Sequence, residues 1–312
     1  MVAAAVRCRK ERFHRMRTAE RRLSRSAQKR LMGLALMLPT ALIAILIVAY
    51  PTYVIIQGSI HDEGILRLSY DSPLTLKNYQ RFFRNWRFLQ PLIATAIYTT
   101  AVTAFTFLIG LGSALLLHQR FIGRALARSL ALLPWPIPMS IVALMTLLVI
   151  DPSVGILNLT LTKLGFFARP VSWVTSSSLS MIAVCLAAIW KGYPFFTITL
   201  LAGLQGIPVH LYEAAHIDGA NAWQRLRHVT LPCLRPIIAV GLLLQVLWLI
   251  KDFTLILIVT NGGPNGATET LGLHVYRSAF EFFRMDYAAA AGVMVLLLAA
   301  VLAVLALRKT RI

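Results

Sequence analysis

Six apolar stretches, near 32–56, 91–117, 129–150, 179–204, 236–260 and 287–307, constrain what this chain can fold into more than any motif does. Each meets the requirement of about 20 residues for a helix to cross the hydrocarbon core of a bilayer. Only 14% of the residues are charged and 58% are hydrophobic, against about 25% charged in a soluble domain. The longest connections, 57–90 and 151–178, are too short to hold a catalytic domain. The chain therefore reads as one polytopic, all-helical membrane domain.

Charge gives this domain a direction. The net charge is +19, and eleven of the 31 Lys and Arg residues fall within the first 30 positions, from Arg7 to Arg30, beside only Glu11 and Glu20. The segments 118–128, 205–235 and 308–312 lie on the same side as this tail and carry three basic residues each, whereas 57–90, 151–178 and 261–286 together carry nine. The positive-inside rule then places both termini, and the 205–235 segment, in the cytoplasm. The tail at 1–30 abuts a membrane span, so anionic headgroups are its expected neighbours, and no nucleic acid is expected. It also mimics a signal peptide, but the apolar run behind it is too long for an h-region and has no small-residue cleavage site. Cys8, Cys185 and Cys233 are odd in number and lack ligand spacing, which implies neither a disulfide framework nor a zinc site.

The polar connector between the fourth and fifth stretches, EAAHIDGANAWQRLRHVTLP from Glu213 to Pro232, stands out from its surroundings. A helical run from Leu211 to Ile217 follows Pro208, a residue suited to a helix start. Gly219 interrupts it, since glycine takes the positive φ a sharp turn needs. A second run, Ala222 to Val229, is expected to be closed by Pro232 and Pro236. The pattern predicts two short helices at an angle, suited to docking. Glu213-Ala214-Ala215, then Gly219-Ala220, then Leu231-Pro232 resembles the EAA loop of ABC importer permeases. In that family the loop is cytoplasmic and its short helix enters a cleft on the ATP-hydrolysing subunit. The resemblance implies a coupling role for these residues and for Asp218 between them.

Polar residues on the spans mark candidate solute contacts. Thr95, Tyr98, Thr99 and Thr106 fall within a sector of roughly 100° and suit either helix packing or a solute path. Trp190, Tyr193 and Thr197 share a face on the fourth span; Gln245, Trp248 and Asp252 share one on the fifth. Trp190, Tyr193, Gln245, Trp248 and Asp252, with Tyr98 and Thr99, are the expected path residues, because polar groups on an apolar helix need a wet or protein-lined face. Lys191 and Lys251 suit either solute binding or pairing with other helices. The outer aromatic group Tyr79, Phe82, Phe83, Trp86 and Phe88 fits a membrane interface or an external partner. Pro134-Trp135-Pro136-Ile137-Pro138 predicts a bent entry to the third span, and Thr270 to Phe283 reads as a short interfacial helix.

The proline-rich entry, Gly155-Ile156-Leu157-Asn158, Leu201 to Pro208, Phe253, Thr260 and Gly262-Gly263-Pro264 resemble the carbohydrate, or maltose-type, branch of these permeases. Thr254 and Leu257 stand where that branch has an acidic residue and an aromatic, and Thr146 and Leu148 where it has tryptophans. From residue 31 to the end, the resemblance implies the type I ABC importer permease fold: six transmembrane helices, all-α, both termini cytoplasmic, in a bacterial-type cytoplasmic membrane. It implies a second permease subunit in a heterodimer, two ABC ATPase subunits and an extracytoplasmic solute-binding protein. No G-x-x-x-x-G-K-[ST] phosphate loop occurs; ATP and Mg are expected on the ATPase subunits, and the chain is not expected to be an enzyme. The alternatives from other classes are a stand-alone transporter or channel and a membrane-anchored basic scaffold that binds nucleic acid.

Overall fold

The computed structural model describes residue 30 and residues 32–61, 74–84 and 88–310. The basic tail, Trp86 and the side chain of Phe83 lie outside the described residues. Two compact units divide the chain after Gln57. Helix α1, Met32–Ser59, makes up nearly all of the described part of the first. The second holds α2 (Lys77–Arg84), α3 (Leu89–His118), α4 (Arg124–Leu132), α5 (Met139–Ile150), α6 (Ile156–Lys163), α7 (Ser177–Gln205), α8 (Val209–Ile217), α9 (Ala222–Lys251), α10 (Thr254–Val259), α11 (Leu271–Phe280) and α12 (Met285–Thr310).

Among the described residues, α1, α3, α7, α9 and the Met285–Ala306 part of α12 are long and apolar enough to cross a membrane. The expected third span is divided. Helix α4 ends at Leu132, the three prolines 134, 136 and 138 interrupt the ladder, and α5 resumes for twelve residues, or about 18 Å against a core of about 30 Å. Arg124 Nε and Arg128 donate to the Leu117 carbonyl at 2.8 and 3.2 Å, which fastens the connection after α3 by capping that helix's last turn.

Helices α3 and α7 pack side by side and run parallel, Tyr98 lying near Cys185 and Gly110 against Phe196. Helix α9 runs antiparallel to α7: Gln245 lies beside Gly192, and Leu234 and Ile237 beside Gly203. The interior forms two apolar clusters. One gathers Tyr98, Val102, Val142, Val184, Leu255, Ile256 and Leu273; the other gathers Ala114, Phe196, Leu200, Leu204 and Leu234.

The fifth span departs from its expected bounds at both ends. Pro232 and Pro236 do not close a short helix; they lie inside α9. The reason is a π-turn over Leu226–Thr230, in which the Leu231 N–H donates to the carbonyl of Leu226, five residues back. A proline ring clashes with the carbonyl four residues before it in a regular helix, and the wider turn relieves that contact. The Thr230 hydroxyl donates to the Arg225 carbonyl at 3.3 Å and so serves a group that the altered ladder frees. Helix α1 repeats the device: a π-turn over Ile45–Ala49, with Tyr50 N–H bonded to Ile45, precedes Pro51. At the other end α9 stops at Lys251, and Asp252-Phe253 separate it from the six-residue α10. The expected 236–260 span is thus one helix from 222 to 251 plus a short one that packs on α5.

Asn158, at the head of α6, ties the connection after α5 together. Its amide donates to the carbonyls of Ile150, Asp151 and Val171, and its oxygen accepts from Val171 N–H and Trp173 Nε1. It is almost completely buried. The segment 260–270 is knitted by Thr260 to Thr268 at 2.7 Å and Thr268 to the Gly263 carbonyl at 2.9 Å, and Leu271 N–H donates to Thr95 on α3. Helix α2 is fastened by Tyr79 hydroxyl to Ser59 and by buried Phe82 near Tyr287. Phe82 therefore packs within the protein, and Tyr79 is half-buried.

Candidate functional site

Two places carry the residues singled out by the sequence. The first is the 206–222 connector. Pro208 sits immediately before α8. Leu211 and Tyr212 pack onto the second apolar cluster, and the Tyr212 hydroxyl lies 3.0 Å from that of Thr230 on α9. These contacts fix the helix on one side. Glu213, Ala214, His216, Ile217 and Asp218 are exposed, while Ala215 and Ala220 are half-buried. The helix ends in a Schellman motif: Ala220 N–H donates to Ala215 at 2.9 Å and Gly219 N–H to His216 at 3.0 Å. Gly219 has φ +74°, a conformation that lacks a Cβ penalty only in glycine. Asn221 then caps α9: its side chain accepts from Gln224 N–H, and the Gln224 side chain accepts from Asn221 N–H, a reciprocal capping box. Leu231 and Pro232 lie on the first turns of α9, Leu231 half-buried and Pro232 exposed.

The second place is a cavity of about 400 Å³ between α7, α9 and the proline-rich break before α5, within the roughly 300–1,000 Å³ range of small-molecule sites. Gln245, Trp248 and Asp252 line it together with Lys191, Phe195, Lys251, Phe253 and Trp135. Gly192 is what lets Gln245 approach, since a Cβ there would lie 3.2 Å from its Nε2. Phe195 and Trp248 meet edge to face at 5.0 Å. Lys191 Nζ donates to the Trp135 carbonyl, one of the groups left free by the prolines. The Asp252 carboxylate accepts from Thr254 N–H at 3.3 Å through Oδ1. Its Oδ2 is buried without a partner among the described residues, and a buried polar atom without a partner is costly.

The other expected path residues do not line this cavity. Trp190, 41% exposed, lines a separate apolar cavity of about 330 Å³ with Val142, Met145, Trp173 and Leu186. Tyr193 is half-buried one turn before Thr197 and does not line the 400 Å³ cavity. Tyr98 and Thr99 are buried between α3 and its neighbours, and their hydroxyls lack partners among the described residues. Trp135, Phe195 and Phe253 were not singled out as path residues. Phe195 had a signal, standing one helical turn after Lys191; Trp135 and Phe253 reach the cavity only through breaks in regular helix. Among the described residues no group of His, Cys, Asp and Glu is placed to hold a metal ion.

Comparison with known proteins fits this geometry. Residues 106–309 match the model of the binding-protein-dependent transport system inner membrane component. The chain belongs to this permease family. It is 32% identical over 267 residues to the trehalose/maltose transport system permease protein MalF of Thermococcus litoralis, covering 85% of this chain and 88% of that one. It is 30% identical over 282 residues to the sulfoquinovosyl glycerol transport system permease protein SmoG of Agrobacterium fabrum, covering 90% and 91%. A solved bacterial ABC transporter involved in import of the acidic polysaccharide alginate superposes with TM-score 0.79 at 24% identity, over 93% of this chain and 98% of that one, which shows the fold. The chain is thus a multi-pass inner-membrane permease subunit of an ABC importer.

Proposed function

We propose that this permease moves a sugar or related polar solute into the cytoplasm by alternating access, driven by ATP hydrolysed on separate subunits. The observation that carries the reading is α8: a nine-residue helix anchored on one side by Leu211 and Tyr212, closed by its own backbone bonds at Gly219, and presenting Glu213, Ala214, His216 and Ile217 outward. Ile217 is 86% exposed and so is available to a partner's cleft. Helix α8 with Asp218, Gly219, Ala220, Leu231 and Pro232 is the coupling element, and ATP and Mg bind on two ABC ATPase subunits. A second, different permease subunit completes the path, and a solute-binding protein delivers the solute; a solved relative of the same fold is in complex with an alginate pentasaccharide-bound periplasmic protein. The relatives named for trehalose, maltose and sulfoquinovosyl glycerol support a sugar as the solute. Gln245, Trp248 and Asp252 contact it, aromatic faces stacking on the ring and polar groups meeting hydroxyls. Trp190, Tyr193, Tyr98 and Thr99, outside the lining of the 400 Å³ cavity, belong to the rest of the path. Residues 1–30 form a cytoplasmic tail beside the domain 31–312.

The test is co-purification of the ATPase subunits with this chain from membranes, using wild type and Ile217→Asp. The variant should retain membrane level but lose most of the associated ATPase and of the sugar uptake. Undiminished association and uptake would leave α8 as a connector only.

A further inference from the structure

The 400 Å³ cavity holds more positive than negative charge. Lys191 and Lys251 both line it, against the single carboxylate of Asp252. Neither lysine forms an ion pair with Asp252: among the described residues the ion pairs join Glu269, His274, Arg277 and Glu281, and Asp252 Oδ2 is unpartnered. The two lysines differ in how they are held. Lys191 is near the middle of α7 and gives one N–H to the Trp135 carbonyl, leaving two of the three ammonium donors uncommitted. Lys251 ends α9 and is exposed. A surplus cation on a membrane-spanning helix is costly unless something compensates it. Around it stand Trp135, Phe195, Trp248 and Phe253, whose rings offer apolar faces, and Gln245, which offers both a donor and an acceptor.

We infer that the solute accommodated here is a sugar carrying one acidic group, a carboxylate, sulfonate or phosphate, whose charge is received by Lys191 and Lys251 while its ring lies against Trp248 and Phe195. The inference rests on the proposed path through Gln245, Trp248 and Asp252 and adds to it the charge of the solute. Two ammonium groups against one carboxylate also favour entry of an anion over a neutral sugar of the same size, because a cleft of net positive charge between low-dielectric walls concentrates the opposite charge. The carboxylate of Asp252 remains available to the solute's hydroxyls.

The experiment uses the assembled importer in detergent, so that both faces are reached, with Cys8, Cys185 and Cys233 replaced by serine and Trp248→Cys introduced. Modification rates of the new thiol are measured with two methanethiosulfonate reagents of similar size, one bearing a sulfonate and the other a trimethylammonium group. The ratio of the anionic to the cationic rate should fall roughly tenfold when Lys191→Gln and Lys251→Gln are combined, and partly with Lys251→Gln alone, which lies outside the helix packing. Lys191→Arg should preserve it. A ratio unchanged by the lysine substitutions, with both reagents reacting, overturns the acidic-solute inference and leaves the path standing. A thiol that reacts with neither reagent overturns the path itself, and the inference with it.

Discussion

Around Gly219 the backbone groups satisfy one another and the side chains are left outside. Around Asp252 the side chains are inside and their polar atoms are incompletely satisfied. The first region is closed by the Ala220-to-Ala215 and Gly219-to-His216 bonds and by the Asn221–Gln224 box; nothing else is asked of Glu213, Ala214 or Ile217. The second is open in its hydrogen bonding, with Asp252 Oδ2 unpartnered and two ammonium groups nearby. Shape is what the first region preserves, whereas the second preserves unmet capacity for interaction. Substitutions in the two should accordingly separate stability from transport in different ways.

The largest effect tests whether hydrogen bonding is what makes a buried polar group tolerable in this protein. Asn158 is the opposite case to Asp252, buried and fully bonded. Asn158→Ala leaves several backbone groups without partners and should lower stability by about 3 kcal/mol, read as the apparent thermal midpoint in detergent. A shift within error would mean the bonds at Asn158 contribute little, and the contrast with Asp252 would lose its meaning. Next comes Gly219→Val. A β-branched residue at φ +74° is strained by about 1–2 kcal/mol, and the Schellman closure must move. Uptake should fall roughly tenfold at unchanged membrane level of the complex. Normal uptake would show that the connector's shape is not used.

Asn221→Ala sharpens the comparison by removing only one side of the capping box. About 1 kcal/mol of helix stability should be lost, with uptake reduced less than by Gly219→Val; hydrogen exchange of the first turn of α9 reports it. The smallest effect concerns Glu269 in the segment after α10. The His274 ring N–H, at 2.7 Å, holds its carboxyl below the ordinary 4.5, burial opposing, with Arg277 also lowering it. A depressed folded-state value contributes stability above pH 4.5 that is lost as pH falls through the folded value. The midpoint difference between wild type and Glu269→Gln should shrink as pH falls below 4.5. A difference independent of pH would mean the charge of Glu269 is not what His274 recognises.

Much of the connector was legible because its determinants are local. Pro208, Gly219 and the spacing of apolar residues dictate a short helix and its stop whatever packs around them. Pro232 and Pro236 misled because the rule that proline ends helices assumes a regular ladder, and the five-residue turn ahead of Pro232 suspends it. The cavity was legible only in part. Gln245 and Trp248 announce themselves as polar or aromatic residues on one face of an apolar helix. The stop at Asp252-Phe253 has no glycine or proline to mark it. Trp135 reaches Lys191 across 56 positions, through the placement of a proline-rich segment that periodicity does not describe. Trp190 shows the same limit from the other direction: a shared helical face with Tyr193 and Thr197 does not say which neighbour that face meets.

One consequence follows from the length of α9. It begins at the Asn221 cap beside the α8 connector and ends at the lip of the cavity, thirty residues without interruption, or about 45 Å. A rod of that length is a lever. Tilting it by one degree about its Asn221 end displaces Lys251 by roughly 0.8 Å, so a few degrees at the connector exceed the tolerance of a hydrogen bond at the cavity. The π-turn and the two prolines lie within the first half of the rod, where helices yield most readily. Compliance is therefore concentrated near the connector end, and the half bearing Gln245 and Trp248 is the stiffer one.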